Sequence, residues 1–360
     1  MRSVQYYTSL ANSFFGDKPS TLTLFVTNRC NAKCKMCFNW ENIENGGARD
    51  ELSIQEISKI ADGFKKLHAL LISGGEPLLR EDLAEIIGEF YKRSGVKHVS
   101  IPTNLFCDDA PEIIRSIVIT NPGVFFRIII SLDGIGEDHD NIRGYKGGFK
   151  KLLSNYGRLQ VYKNGLKNLS LNVATVFTSY NAEKLTHILD FAGKLDIDDI
   201  KLLYVRGDTR EPEAKNVNPR EYKHYIEYTE KLTTKKNRTK SFYNNLFGSV
   251  SLVARELIAE SLNEKRRVLP CNAGSKFIVI SETGEVFPCE ILRKEFGKLR
   301  ECNYNISSIM ESEKAQKVKQ FIKDGECNCN VQLQCNTISN IVYNPSMYPR
   351  VLKKLSGFYK

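Results

Sequence analysis

The sequence predicts an α/β fold: a partial or full β/α barrel followed by a small cysteine-rich C-terminal domain. Two observations carry that reading. Over the first two-thirds, strand-like segments alternate with helix-like ones, and from Cys271 onward the pattern changes to a short hairpin with closely set cysteines. Strands separated by helices of about 10–15 residues signal a parallel sheet with helices packed outside it.

The elements follow in order. Residues 21–27 form a β-branched and aromatic run, read as the first strand. Ser53, with Glu56 three residues on, has capping-box spacing, and Ile54, Ile57, Ile60, Ala61 and Phe64 then recur with helical period. Residues 69–74 are a short apolar run ending in Gly-Gly, a buried strand and a turn. A helix over 81–93, a strand over 96–101, a helix over 111–120 and a strand over 125–132 continue the alternation. Helices over 149–163 and 182–194 and strands over 169–177 and 200–205 complete six βα-type units. Residues 219–263 read as mostly helical. Two short apolar runs from Phe277 and Val286 flank a Glu-Thr-Gly-Glu turn, a small hairpin. The expected division is an extension over 1–20, a core barrel over 21–210, a helical connector over 211–265, an auxiliary domain over 266–345 and a tail over 346–360.

Hydrophobic residues make up 41% and charged residues 26%, ordinary globular composition. The first twenty residues lack an apolar h-region and a small-residue cleavage site, and no apolar run reaches membrane-spanning length. A soluble, cytoplasmic protein with no membrane partner is expected. The net charge of +10 concentrates in 231–240 and at Lys265, Arg266 and Arg267. With no nucleic-acid module signature, these read as solvated helix faces, so nucleic acid is not an expected partner.

The ten cysteines are unevenly placed: three near position 30, Cys107 alone, and six between Cys271 and Cys335. Close-set cysteines without a secretory signal point to metal or redox work rather than disulfides. Cys30, Cys34 and Cys37 have Cys-x3-Cys-x2-Cys spacing. Three thiolates on one loop can hold a [4Fe–4S] cluster with one iron left open to an outside ligand. A zinc knuckle is the alternative, but zinc normally takes a fourth protein ligand. The second element is Ser73-Gly74-Gly75-Glu76-Pro77 at the end of the second strand. Its glycines allow close backbone approach to a ligand, and its carboxylate can accept from an ammonium.

Together these motifs resemble the radical S-adenosylmethionine (SAM) superfamily, whose signature is Cys-x3-Cys-x-aromatic-Cys. Position 36 is Met instead of the aromatic, which stands at Phe38. The resemblance implies a partial (β/α)6 TIM-like radical SAM barrel, and the segment Gly74, Gly75, Glu76 and Pro77 would contact the SAM amino group. β/α barrels place their sites at the C-terminal strand ends. Thr103 and Asn104 follow the third strand, Ser131 and Asp133 the fourth, and Val176 ends the fifth. By resemblance Ser131 and Asp133 approach the ribose or carboxylate of SAM and Val176 its adenine. Arg206 and Asp208, after the sixth strand, are substrate-side candidates.

The C-terminal region looks like the SPASM or shorter twitch extension of these enzymes, with a Cys…Gly-x4-Cys hairpin formed by Cys271, Gly284 and Cys289. The group Cys327, Cys329 and Cys335 then closes the site. Ser339 stands where a further ligand would be expected, so one auxiliary [4Fe–4S] cluster is expected: Cys271, Cys289 and Cys335, with Cys327 or Cys329 fourth. Structural zinc is the alternative. Cys107 and Cys302 read as ordinary thiols. Glu290, next to Cys289, is either a general base, as in some peptide-modifying relatives, or a solvated residue, the latter slightly favoured. Nothing in the sequence pairs His98 or His139 with a partner.

The resemblance implies reductive cleavage of SAM to methionine and a 5′-deoxyadenosyl radical that abstracts a substrate hydrogen. A flavodoxin- or ferredoxin-like electron donor is implied. Two substrate classes compete: a small carbohydrate or nucleotide-like molecule, toward which a single auxiliary cluster leans, and a peptide side chain. The rival from another class is a zinc-stabilised, non-enzymatic nucleic-acid-binding protein, which leaves the Gly-Gly-Glu-Pro segment unexplained.

Overall fold

The structure is a computed structural model that describes residues 18–46, 50–237, 242–327 and 334–357, with the backbone alone at 233–237, 242–244 and 334–335. Nine strands among the described residues form one sheet in the order β6-β5-β4-β3-β2-β1-β7-β8-β9. They are β1 (Thr21–Thr27), β2 (Ala69–Gly74), β3 (His98–Thr103), β4 (Phe125–Ser131), β5 (Leu169–Phe177), β6 (Asp199–Tyr204), β7 (Phe277–Ile280), β8 (Glu285–Phe287) and β9 (Gly297–Lys298). The first six run parallel in chain order, as in a partial β/α barrel.

The helices are α1 (Trp40–Asn45), α2 (Ile54–Asp62), α3 (Leu83–Ser94), α4 (Ala110–Thr120), α5 (Glu137–Arg143), α6 (Gly148–Lys163) and α7 (Leu185–Lys194). They continue as α8 (Pro219–Asn237), α9 (Phe242–Glu264), α10 (Ile306–Glu311), α11 (Glu313–Lys323), α12 (Gln334–Val342) and α13 (Tyr348–Gly357). The expected capping box is formed: Ser53 Oγ accepts from the Glu56 amide while Glu56 accepts from the Ser53 amide. Strands 21–27, 69–74 and 169–177 coincide with the sequence reading, while β3 runs two residues later than expected. The segment over 182–194 opens as a 3-10 turn before α7.

Alternation along the strands separates two faces. In β4 Phe126, Ile128 and Ile130 are buried in the core against the helices, while Arg127, Ile129 and Ser131 are half-buried on the opposite, concave face. Cross-strand register carries that face from strand to strand: Ser100 pairs with Arg127 and Arg127 with Ser170, and Ile129 pairs with Asn172 and Asn172 with Asp199. α8 lies on the outer face of β6, where the Tyr222 hydroxyl donates to the Leu202 carbonyl at 3.1 Å.

α9 differs from the outer helices. Ser251, Leu252, Val253, Ala254 and Arg255 are buried in succession, and a helix buried all round belongs in an interior. It crosses the concave face, with Phe247 under the Arg127 guanidinium at 4.1 Å and Arg255 reaching Asp199 at 3.5 Å. The β7–β8 hairpin predicted from the sequence is present, but it is not a separate sheet: β7 pairs parallel with β1, so the C-terminal region extends the barrel sheet directly.

Candidate active site

The three cysteines lie on the loop after β1, all half-buried. Three elements hold the loop. From the end of β2, the Gly75 amide donates to the Thr27 carbonyl at 2.7 Å and the Glu76 amide to the Arg29 carbonyl at 2.9 Å. From α5, the Arg143 and Ile142 carbonyls accept from the Lys33 and Lys35 amides. From the segment after β6, the Arg210 and Glu211 amides donate to the Cys37 and Lys35 carbonyls. The glycines are required by this docking. A Cβ on Gly74, at φ +120°, would lie 2.2 Å from the Thr27 oxygen, and one on Gly75 2.1 Å from the Arg29 oxygen. The close approach is therefore of backbone to backbone, where the sequence reading placed a ligand.

Burial pushes the Cys30 thiol up to about 12 and the Cys37 thiol up to about 11, and each is raised further by the charge of Cys34. The three sulfurs are thus electrostatic neighbours in a poorly solvated place. A cation answers them: Arg143 Nη1 lies 3.6 Å from Cys34 Sγ. Its other arm pairs with Asp133, which is fully buried and also accepts from the Val176 amide at 2.6 Å. Asp133 therefore faces Arg143 and the β5 backbone. Burial pushes its pKa up, opposed by Arg143 and the Val176 N–H.

Glu76 is 2% exposed and accepts from the Asn104 amide at 2.8 Å and the Leu78 amide at 3.3 Å, opening the 3-10 turn Pro77–Leu79. Burial raises its pKa despite these donors and Thr103. Asn104 Nδ2 reaches back to Asn31 in the cysteine loop at 2.7 Å. Asn31 in turn lies 3.7 Å from the Cys107 sulfur. Ser131 and Val176 sit half-buried at the upper end of the concave face. His139 is buried, its Nδ1 accepting from the Asp133 amide at 3.2 Å, which supplies the partner the sequence did not show.

At the rim, Arg206 lies over the Phe38 ring at 4.8 Å and donates to Glu290 at 2.7 Å. The Glu290 side chain is only 6% exposed, so the reading of it as a solvated residue is corrected: it is an ion-paired carboxylate between the end of β6 and the segment after β8. Farther on, the Gly274 amide donates to the Pro288 carbonyl, drawing Cys271 and Cys289 to the same end of the hairpin. Each described thiol there has a nitrogen neighbour: Asn336 Nδ2 at 3.1 Å from Cys271, the Leu292 amide at 3.3 Å from Cys289, and Arg267 Nη1 at 3.9 Å from Cys327. Asn336, on α12, sets the start of that helix beside Cys271. Cys329 lies outside the described residues, as does the side chain of Cys335.

The family model for the radical SAM superfamily matches residues 24–192, from β1 into α7. Over that stretch the chain carries a radical SAM domain. An AdoMet-dependent heme synthase from Methanosarcina barkeri is 24% identical over 292 residues, 79% of this chain and 80% of that protein. A GTP 3′,8-cyclase from Peptoclostridium acidaminophilum is 25% identical over 54% of this chain, which spans only 59% of the cyclase. The fold is shared with Streptococcus suis SuiB bound to S-adenosylmethionine (TM-score 0.60, 15% identity, 89% of this chain and 72% of SuiB). It is also shared with anSMEcpe with bound AdoMet (TM-score 0.59, 16% identity, 93% and 99%).

A radical SAM domain implies a [4Fe–4S] cluster and SAM, and the residues present fit them. The donor set is three mutually coupled thiols on one pinned loop, with a guanidinium against one sulfur. None of these relatives supports the non-enzymatic nucleic-acid reading, and no described helix is long and apolar enough to cross a membrane. Arg143 is the site residue that sequence reasoning missed. Its signal was slight: a seven-residue polar helix between Gly136 and Gly144.

Proposed function

We propose that Cys30, Cys34 and Cys37 hold the [4Fe–4S] cluster with one iron open, and that SAM lies between that loop and the C-terminal ends of β2 to β5. What the bound cluster supplies is one electron for reductive cleavage of SAM, which starts hydrogen abstraction from the substrate. The chain's own residues do the rest. Glu76, a buried carboxylate whose hydrogen bonds come from neutral donors, receives the SAM ammonium, whose charge relieves its desolvation. Arg143, its Nε without a hydrogen-bond partner among the described residues, receives the SAM carboxylate. Thr103 and Asn104 orient Glu76, Ser131 and Val176 wall the ribose and adenine, and Phe38 packs at the mouth.

Cys271, Cys289 and Cys335, with Cys327 or Cys329, hold one auxiliary [4Fe–4S] cluster. The N–H neighbours of the described sulfurs support this, since such bonds stabilise ligating thiolates. Glu290 accepts the proton released by the substrate intermediate, and a flavodoxin- or ferredoxin-like protein supplies electrons. The relatives that align over most of the chain are named for heme and GTP chemistry, which favours a small molecule. The SuiB structure with its precursor peptide keeps a peptide as the second reading.

The docking of the cysteine loop on Gly75 and Glu76, with Arg143 against Cys34, carries this proposal. Anaerobic incubation with SAM and dithionite tests it through 5′-deoxyadenosine. The wild type is expected to form it, Cys34→Ala to abolish it, and Cys335→Ala to leave some uncoupled cleavage. Undiminished product from the Cys34 variant would refute the site.

A further inference from the structure

The floor of the barrel carries cationic and donor groups that the SAM site does not use. Arg127 is half-buried on the concave face of β4 and has no hydrogen bond or ion pair among the described residues; its guanidinium rests on the Phe247 ring. Its register neighbour Ser170 hydrogen-bonds Asn172 at 3.4 Å, and Asn172 pairs with Asp199, which Arg255 reaches from α9. Asn172 is 1% exposed and Arg255 fully buried, yet Asn172 Nδ2 and Arg255 Nε and Nη1 have no hydrogen-bond partner among the described residues.

A buried donor left unpaired costs about 1–3 kcal/mol, more when charged. Several on neighbouring strand positions of one face imply an acceptor that arrives from outside. Arg255 has Asp199 as its carboxylate while the Arg127 guanidinium has no carboxylate partner among the described residues, so the group that satisfies it is an anion. An aromatic ring flat against Arg127 orients the cation without neutralising it, which leaves the charge available to a ligand.

We propose that Arg127, backed by Asn172 and Arg255, forms an anion subsite on the barrel floor that receives a phosphate or carboxylate of the substrate. The proposal deepens the radical SAM reading and rests on it for what lies above. Arg127 and Ser131 are four residues apart on one strand, roughly 13 Å at the usual rise. The substrate therefore places its anionic group roughly that far from the carbon that loses hydrogen, the span of an extended, nucleotide-sized molecule.

Calorimetric titration of the anaerobically reconstituted full chain, with SAM present, tests this using tripolyphosphate in one arm and citrate in the other. Wild type is expected to bind one of them, and the tighter arm identifies the phosphate or carboxylate. Arg127→Met is expected to bind at least tenfold more weakly, with Arg127→Lys recovering most of the affinity. Arg158→Met, which removes an exposed guanidinium paired with Glu112 on the outer helices, is expected to bind as wild type does. Asn172→Leu, expected to weaken binding several-fold, serves if Arg127→Met does not fold. No binding by wild type, equal binding by the floor variants, or an equal loss in Arg158→Met overturns the subsite. Formation of 5′-deoxyadenosine by the wild type, measured without added anion, tests the upper site separately.

Discussion

Replacing Arg143 by Met separates its two jobs. One arm of the guanidinium compensates Asp133, which is fully buried and among the described residues otherwise accepts only from the Val176 amide; the other faces Cys34 Sγ at 3.6 Å. Removing one partner of a buried pair strands the other charge and costs about 3–5 kcal/mol. At roughly 2 °C per kcal/mol for a chain of this size, the melting temperature should fall by about 6–10 °C. Adding Asp133→Asn removes the stranded charge while keeping an oxygen for the Val176 amide. The double variant should therefore melt within about 2–4 °C of wild type. Cleavage of SAM should not return with the stability, because the cation beside Cys34 is still missing. Melting curves and 5′-deoxyadenosine assays on wild type, both single variants and the double variant complete the cycle. A single variant that melts within about 2 °C of wild type, or a double variant that cleaves SAM normally, would show that Arg143 does not join the two sites.

Gly75→Ala should break the docking of the cysteine loop: its Cβ would sit 2.1 Å from the Arg29 carbonyl and disturb the two amide bonds from β2. A loss of about 2–4 kcal/mol and a several-fold drop in bound iron after reconstitution are expected, measured by melting and iron analysis; wild-type iron content would contradict the docking argument. Glu56 ties α2 to the C-terminal region, accepting from Arg300, Tyr304 and the Ser53 amide. The Arg300 hydrogen bond leads in holding its pKa down to about 2, from an ordinary value of 4.5. A depressed folded-state pKa stabilises above the unfolded value and is lost as pH falls toward 2. Glu56→Gln should therefore cost about 1–2 kcal/mol at pH 7 and progressively less as pH falls through the folded pKa of about 2, read from denaturant melts; an equal cost across that range would contradict the assignment.

The sequence was most legible where the signal is local. The strands over 21–27, 69–74 and 169–177 are short β-branched or apolar runs bounded by polar or turn residues, and Ser53 with Glu56 announces its own helix start. The spacing of Cys30, Cys34 and Cys37 is likewise local, and so was readable. α5 was not, because its seven residues are mostly polar and bury only His139 and Ile142, leaving no helical period to detect. Yet α5 places Arg143, since its C-terminal carbonyls dock the cysteine loop and fix the side chain's origin beside Cys34.

Long-range pairing was equally hidden. Nothing in residues 277–280 says that this strand will lie parallel to β1, and nothing near Glu290 points to Arg206, 84 residues earlier in the chain. These two facts have one consequence. Cys271 and Cys289 flank a hairpin hydrogen-bonded to the strand that launches the Cys30 loop, while Glu290 is clasped by the loop that ends β6. The loop of Cys30 and the hairpin of Cys271 and Cys289 are thus tied together by backbone hydrogen bonds on one side and by a shielded ion pair on the other.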